Sequence, residues 1–143
     1  MTDEHRAPIV IREAVPSDVP QIQTLIEPYV AHKILLPRTQ DELTRLAAQG
    51  FVAESEDRII GFVALEVYSR KMAELQCLAV AADFQRRGLG KALVRRCVQR
   101  ACELNIHELM AITASDAIFR DCGFDYTLPD QKKALFRYPC TPP

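Results

Sequence analysis

Residues 85–91, QRRGLGK, place an amide, three cations and two glycines between an apolar run that ends at Val80 and an amphipathic run that follows. A helix N-terminus leaves backbone N–H groups unpaired and carries roughly half a positive charge, so anions bind there. Glycines let the backbone approach a bulky anion, while Arg86, Arg87 and Lys91 add positive charge. The segment indicates a pyrophosphate cradle, although an ordinary surface turn with solvated arginines fits the same residues.

The glycine spacing does not match two common nucleotide-binding motifs. No G-K-[ST] follows Gly88, as a phosphate loop of nucleotide hydrolases requires. The segment also has G-x-G rather than G-x-G-x-x-G, and it follows a predicted antiparallel strand instead of opening a βαβ unit. Any phosphate binding here therefore uses a different arrangement.

Apolar periodicity and turn residues predict the elements that position this corner. Their order, β-α-α-β-β-β-α-β-α-β-β, is typical of a mixed α+β domain whose central, mostly antiparallel sheet is flanked by helices. Without repeats or linkers, we expect one domain over residues 1–143. Strands are predicted at 9–14, 51–55, 58–69, 72–80, 107–114, 124–128 and 132–139, and helices at about 18–27, 40–49, 88–104 and 116–122.

Prolines and glycines predict where these helices end. Pro28 should close the first helix, because a helix-interior proline loses a hydrogen bond and clashes with the preceding turn. Thr39 or Asp41 is suited to cap the second helix, and Gly50 to end it as a C-cap.

Composition excludes several classes of partner. The net charge of -1 gives no overall attraction to nucleic acid or to anionic lipid, and no apolar stretch approaches the ~20 residues of a membrane span. Five cysteines, without a C-x-x-C pair or a signal peptide, indicate reduced thiols in the cytoplasm. We expect no metal site, because the three histidines do not cluster with one another or with cysteines.

The segment QRRGLG resembles the [QR]-x-x-G-x-[GA] signature of the GNAT N-acetyltransferase superfamily, which binds the pyrophosphate of acetyl-CoA there. The predicted element order is similar to the GNAT fold over nearly the whole chain, and AIFRDCGF resembles its short fourth helix followed by G-F. The resemblance implies acetyl-CoA as cosubstrate. The residues that it implies for binding the cofactor are Leu78, Ala79, Val80, Gln85, Arg86, Arg87, Gly88, Leu89, Gly90, Lys91 and Phe119.

A transferase of this family also needs a base to take a proton from the acceptor amine. Glu74, between apolar neighbours in MAELQCLAV, is the candidate, although a solvated strand glutamate fits the same pattern. Cys77 is more simply interpreted as a core thiol than as a nucleophile, since no histidine lies near it in the sequence.

Many family members carry a tyrosine four residues before the glycine of G-F, where it protonates the leaving thiolate. Here that position is Phe119. Either Thr113, Ser115 or Tyr126 is the acid, or the thiolate leaves unaided.

Three further segments, LLPRTQDEL, KMAELQCLAV and FRDCGF, resemble the acetyltransferase domain of N-acetylglutamate synthases. This resemblance implies that Arg38 and Lys71 bind the carboxylates of an amino-acid acceptor, with L-glutamate as the first candidate. The C-terminus departs from that pattern, because KKALFRYPCTPP ends in prolines where polar residues help to hold glutamate. Arg137 is a candidate to replace them, and a different amino acid or small amine stays open as the acceptor.

Two alternatives stay open from the sequence. One is a protein or peptide N-acetyltransferase, against which the basic Arg38 and Lys71 argue. The other is a noncatalytic acetyl-CoA-binding module that regulates a partner. A homodimer through the β-rich C-terminus is a further hypothesis that the sequence leaves undecided.

Overall fold

A computed structural model describes residues 7–140 and contains a five-stranded sheet in the order β1-β2-β3-β4-β5. Strands β1 to β4 run antiparallel to one another, whereas β5 runs parallel to β4. The mixed, mostly antiparallel sheet expected from the sequence is therefore confirmed. The strands are β1 Val10–Glu13, β2 Gly50–Ser55, β3 Arg58–Val67, β4 Met72–Val80 and β5 Glu108–Ala111; the helices are α1 Val19–Ala31, α2 Gln40–Ala47, α3 Leu89–Glu103 and α4 Ala117–Asp121.

Each face of the sheet packs against a different pair of helices. On one face, α1 and α2 bury Ile22 and Leu43 against Phe62 of β3. On the other face, α3 buries the stripe of Leu89, Leu93, Cys97 and Ala101 that the helical periodicity predicts. The central strands β3 and β4 are therefore covered on both sides and form a rigid support for the residues at their edges. No helix among the described residues has the length and apolarity needed to cross a bilayer.

A β-bulge interrupts β4 near its middle. Phe62 of β3 pairs with Ala79, but Ala64 pairs with Gln76, so β4 has one more residue than β3 in this interval. Cys77 lies in this bulge, and its backbone adopts the left-handed conformation, with φ of 59°. As a result, Leu75 is buried on the α3 face and Cys77 on the α1–α2 face.

Two predicted helix ends are wrong. Helix α1 continues through Pro28 to Ala31, because a proline lacks only its own N–H and the next turn still forms, with His32 N–H donating to the Pro28 carbonyl at 3.1 Å. Helix α2 begins at the expected Thr39 cap but ends at Ala47. Gly50 starts β2 instead, where a Cβ would lie 2.8 Å from Cε1 of Phe62.

The two strands predicted for residues 124–128 and 132–139 are also wrong, since the structure assigns neither segment to the sheet. Tyr126 is held by α4, with its hydroxyl bonded to Asp116 and Arg120 5.1 Å from its ring centre. In the last segment, Leu135, Phe136 and Tyr138 are 92%, 81% and 85% exposed. A β-prone sequence without a buried face has nothing to fix its register, so composition misled the prediction.

Candidate active site

Strands β4 and β5 diverge after a short parallel ladder. Their pairing runs from Met72 with Glu108 to Leu75 with Ala111, and β4 continues to Val80. The N–H of Ala81 donates to the Ile60 carbonyl on β3 at 2.8 Å. Because neighbouring residues direct their backbone groups to opposite edges of a strand, the N–H groups of Val80 and Leu78 face away from β3, into this gap. These groups are suited to bind an extended arm and an acyl carbonyl.

The N-terminus of α3 lies at the end of the gap where β4 finishes, beyond Val80. Gly88 is its N-cap with φ of 78°, a conformation that favours glycine, and a Cβ there would meet no atom within 4 Å. The first intrahelical bond in this turn joins Ala92 N–H to the Gly88 carbonyl at 3.0 Å. The N–H groups of residues 89–91 therefore point out of the helix end, as an anion site requires.

The three cations before and within the first turn of α3 differ in exposure and in their partners. Arg86 and Arg87 are exposed, and Arg87 lies over the Phe84 ring at 5.0 Å. Arg86 has φ of 64°, a strained backbone for a non-glycine residue, and such strain is concentrated at functional sites. Lys91 instead forms an ion pair with Asp121 of α4 at 2.8 Å. The mobile positive charge at the helix end thus comes from the two arginines, whereas Lys91 also ties α3 to α4.

Four polar side chains form a continuous network on the α1–α2 side of β4. Oε1 of Glu74 accepts from the Tyr68 hydroxyl at 2.7 Å and from Nε2 of Gln76 at 3.3 Å. Oε1 of Gln76 accepts from Nη2 of Arg38 at 2.8 Å. The hydrogen bond to Glu74 raises the pKa of Tyr68 to about 12, so the phenol keeps its proton and acts as a donor to the carboxylate. This network joins a candidate base to a candidate carboxylate-binding group.

The structure brings Arg38, but not Lys71, into this network. Arg38 is half-buried, and its Nε lies out of contact with solvent without a hydrogen-bond partner among the described residues. Lys71 is exposed in the β3–β4 turn, where its N–H donates to Oγ of Ser69 at 3.1 Å. Lys71 precedes Glu74 by three residues on an extended chain, so the two backbones lie about 10 Å apart.

Cys77 lies beside the network but is unsuited to attack a thioester. It is 6% exposed, and burial raises the pKa of its thiol above the ordinary value. Since the thiolate is the nucleophilic form, this environment disfavours reaction. The placement agrees with a core thiol.

Phe119 is buried and packs edge-to-face on Phe124, with ring centres 5.5 Å apart. Two of the three groups considered as acids in its place are already engaged. Oγ1 of Thr113 donates to the Ser115 carbonyl at 3.0 Å, and the Tyr126 hydroxyl bonds to Asp116. Neither contact directs a proton into the gap, which leaves Ser115 as the remaining candidate acid or a thiolate that leaves unaided.

Sequence reasoning missed Tyr68, Gln76 and Tyr29. Gln76 follows Glu74 by two residues, and strand alternation alone places both on one face. Tyr68 reaches Glu74 across the hairpin whose register pairs Val67 with Ala73, which no sequence pattern specifies. Tyr29 lies on α1 and bonds to the end of β4, a tertiary contact without any local pattern.

Comparisons with known proteins agree with this geometry. Residues 18–124 match the model of the Acetyltransferase (GNAT) family. Over 134 residues, the chain is 32% identical to an amino-acid acetyltransferase of Pasteurella multocida, covering 90% of this chain and 30% of that protein.

Two solved structures are similar as well. Rv2747 of Mycobacterium tuberculosis, in complex with CoA and NLQ, has a TM-score of 0.74 at 32% identity, over 80% of this chain and 70% of its own. N-acetylglutamate synthase of Neisseria gonorrhoeae, complexed with coenzyme A and N-acetyl-glutamate, has a TM-score of 0.73 at 28% identity, over 80% of this chain and 27% of its own. The chain thus spans less than a third of the amino-acid acetyltransferase and of the synthase.

Proposed function

Because the chain belongs to the Acetyltransferase (GNAT) family, we propose that it transfers the acetyl group of acetyl-CoA to the amine of an α-amino acid, with L-glutamate as the first candidate. The observation that carries this proposal is the arrangement around the gap between β4 and β5. An anion site at the α3 N-terminus lies at one end, and the Glu74–Arg38 network lies along β4 toward the other. The identities to an amino-acid acetyltransferase and to Rv2747 support the class of acceptor.

The residues present fit the cosubstrate. The outward N–H groups of residues 89–91, with Arg86 and Arg87, suit a pyrophosphate, and the free edge of β4 at Leu78 and Val80 suits an extended arm. Acetyl-CoA supplies a thioester whose carbonyl oxygen gains negative charge during the reaction. A backbone N–H at the β4 bulge would stabilise that charge, a contribution of ~3 kcal/mol for a well-placed donor.

In the proposed reaction, the amine nitrogen forms a bond to the acetyl carbon and the bond from that carbon to sulfur breaks. Glu74 accepts the proton that the amine must lose, directly or through one water. Arg38 holds the acceptor carboxylate, and Gln76 keeps Arg38 and Glu74 at a fixed separation. The thiolate takes its proton from solvent after leaving.

The experiment is detection of acetylated product by mass spectrometry, with acetyl-CoA fixed and a panel of amines led by L-glutamate. We expect turnover with an α-amino acid, and a rise in its KM of about tenfold or more in Arg38→Ala, since a charge-assisted hydrogen bond contributes about 1.5–3 kcal/mol. Arg45→Ala is the matched control, because Arg45 is exposed on the neighbouring helix α2. Acetylation of peptides alone, or CoA binding without any product, would contradict the proposal.

We also propose that the protein works as a homodimer in the cytoplasm. β5 is one of the two edge strands of the sheet, and the exposed Leu135, Phe136 and Tyr138 follow it in the chain. Such side chains are suited to cover an open edge in a second copy. All five cysteines are free thiols, which fits a reducing compartment. Light scattering should give twice the mass of one chain for the wild type, and Phe136→Ser should lower this measured mass. A monomeric wild type would contradict the dimer.

A further inference from the structure

The Val80 carbonyl is bound by side chains instead of by a strand. Like the N–H of the same residue, it faces the gap beyond the end of the β4–β5 ladder. The hydroxyl of Tyr29, on α1, donates to this carbonyl, and Nε2 of Gln85 donates to it at 3.2 Å. Gln85 also donates to the Tyr29 oxygen at 2.5 Å. Three groups from α1, β4 and the loop before α3 thus form one closed set of hydrogen bonds.

The backbone of Tyr29 has a second role. Its carbonyl accepts from the N–H of Ile34 at 2.8 Å and from that of Leu35 at 3.2 Å, which closes the C-terminus of α1. The chain leaving this turn reaches Arg38 three residues later. Tyr29 therefore holds the acceptor-side segment with its backbone and the loop that leads to Gly88 with its side chain.

We propose that Tyr29 is a positioning residue for acetyl-CoA, which acts by fixing Gln85 and the end of β4 in the conformation that binds the cofactor. This inference rests on the proposed function. The start of the loop is held separately, by two hydrogen bonds from Arg58 to Asp83 at 2.9 and 3.1 Å, whereas Tyr29 supplies the side-chain contact to Gln85, next to the arginines. Without the phenol hydroxyl, the Gln85 amide loses an acceptor and the Val80 carbonyl loses a donor, so the loop must pay more conformational entropy when it closes on the pyrophosphate.

The test is Tyr29→Phe, which removes one oxygen and keeps both the ring and the backbone carbonyl. We expect the Kd for CoA, measured by calorimetry, to rise about tenfold, as the loss of about 1.4 kcal/mol requires. The KM for acetyl-CoA should rise in parallel, whereas kcat and the KM for the acceptor should change less than twofold. Thr44→Val removes a hydroxyl from an exposed side chain of α2, and it should leave all four constants unchanged.

A double-mutant cycle separates positioning from general destabilisation. If Tyr29 acts through Gln85, then Gln85→Leu should weaken CoA binding, and adding Tyr29→Phe should weaken it less than in the wild-type background. Full additivity, or a CoA affinity unchanged in Tyr29→Phe, would overturn the inference. So would a lower kcat or a lower Tm with CoA affinity retained. A wild-type protein that binds no CoA would instead refute the proposed function.

Discussion

At the scale of single residues, the direction of the hydrogen bonds around Glu74 decides what that carboxylate can do. Tyr68 and Gln76 both donate to Oε1, so the network is oriented toward an ionised Glu74. Gln76 can donate to Glu74 because its own oxygen is occupied by Arg38. Because both donors bind Oε1, we expect Oε2 of Glu74 to receive the proton from the amine.

The prediction for Tyr68 follows from this orientation. Tyr68→Phe removes one donor to Glu74 and should lower kcat about tenfold, while the Kd for CoA stays within twofold. The same contact holds the pKa of Tyr68 at about 12, above the ordinary value of about 10. In a titration followed by phenolate absorbance, the variant should lose only the component that ionises above about pH 11. If the component lost in the variant instead ionised near pH 10, the contact between Tyr68 and Glu74 would be absent.

At the scale of elements, the junction between β4 and α3 depends on the backbone of Gly88. Its φ of 78° costs an L-residue about 1–2 kcal/mol, although the space for a Cβ is open. Gly88→Ala should therefore lower the free energy of unfolding by about that amount and weaken CoA binding, because the loop relaxes away from the left-handed conformation. Urea unfolding and calorimetry with CoA measure the two effects.

Gly123→Ala is the matched control for this strain. Gly123 follows α4 with φ of 92°, and a Cβ there also meets nothing within 4 Å. The control should lose similar stability but keep its CoA affinity within twofold. Equal losses of affinity in both variants would mean that binding follows stability rather than the local conformation of the α3 cap.

How far the sequence predicts an element depends on whether its pattern is local. The helical stripe of α3, the continuous apolar runs of β2 and β3 and the alternation of β4 predict those elements, because burial selects each pattern directly. Pro28 misleads because one residue type does not determine where backbone pairing stops, and here the Tyr29 carbonyl pairs with the N–H of Ile34 beyond it. The two C-terminal strands fail for a related reason, since β propensity alone does not supply a partner.

At the scale of the whole molecule, one ion-pair cluster joins the first strand to the rest of the sheet. Arg12 of β1 contacts Asp18 at 2.8 Å, just before α1, and Glu54 of β2 at 2.5 Å. Asp18 is 6% exposed, and its Oδ2 also accepts from the Val15 N–H at 2.8 Å. The bond from Arg12 holds the pKa of Asp18 below its ordinary value.

This cluster predicts how stability depends on pH. A carboxylate with a lowered folded-state pKa stabilises the protein above its unfolded pKa of about 3.9, and that stability is lost as the pH falls through the folded value. Asp18→Asn should therefore cost about 1–3 kcal/mol at pH 7, and the difference from wild type should shrink below about pH 4. Asp130→Asn, at an exposed position, should change stability by less than about 0.5 kcal/mol at either pH. A pH-independent cost would contradict the ion pair.

The site as a whole is less predictable from sequence than the fold. Gly88 and the arginines are adjacent in the chain, so a motif identifies them. The bond from Arg38 to Gln76 spans 38 residues and that from Tyr29 to Gln85 spans 56, and each depends on how α1 packs across β4. Such contacts need the packed structure, because no periodicity within one segment encodes them.

We propose that this chain transfers acetyl groups with Glu74 as the base. The most direct test is the formation of N-acetylated product from acetyl-CoA and L-glutamate, compared by mass spectrometry between the wild type and Glu74→Gln. We expect product from the wild type and a kcat lowered about 100-fold or more in the variant, with the Kd for CoA unchanged. Equal turnover in both proteins would contradict the role of Glu74, and the absence of product from the wild type with every amine tested would contradict the activity itself.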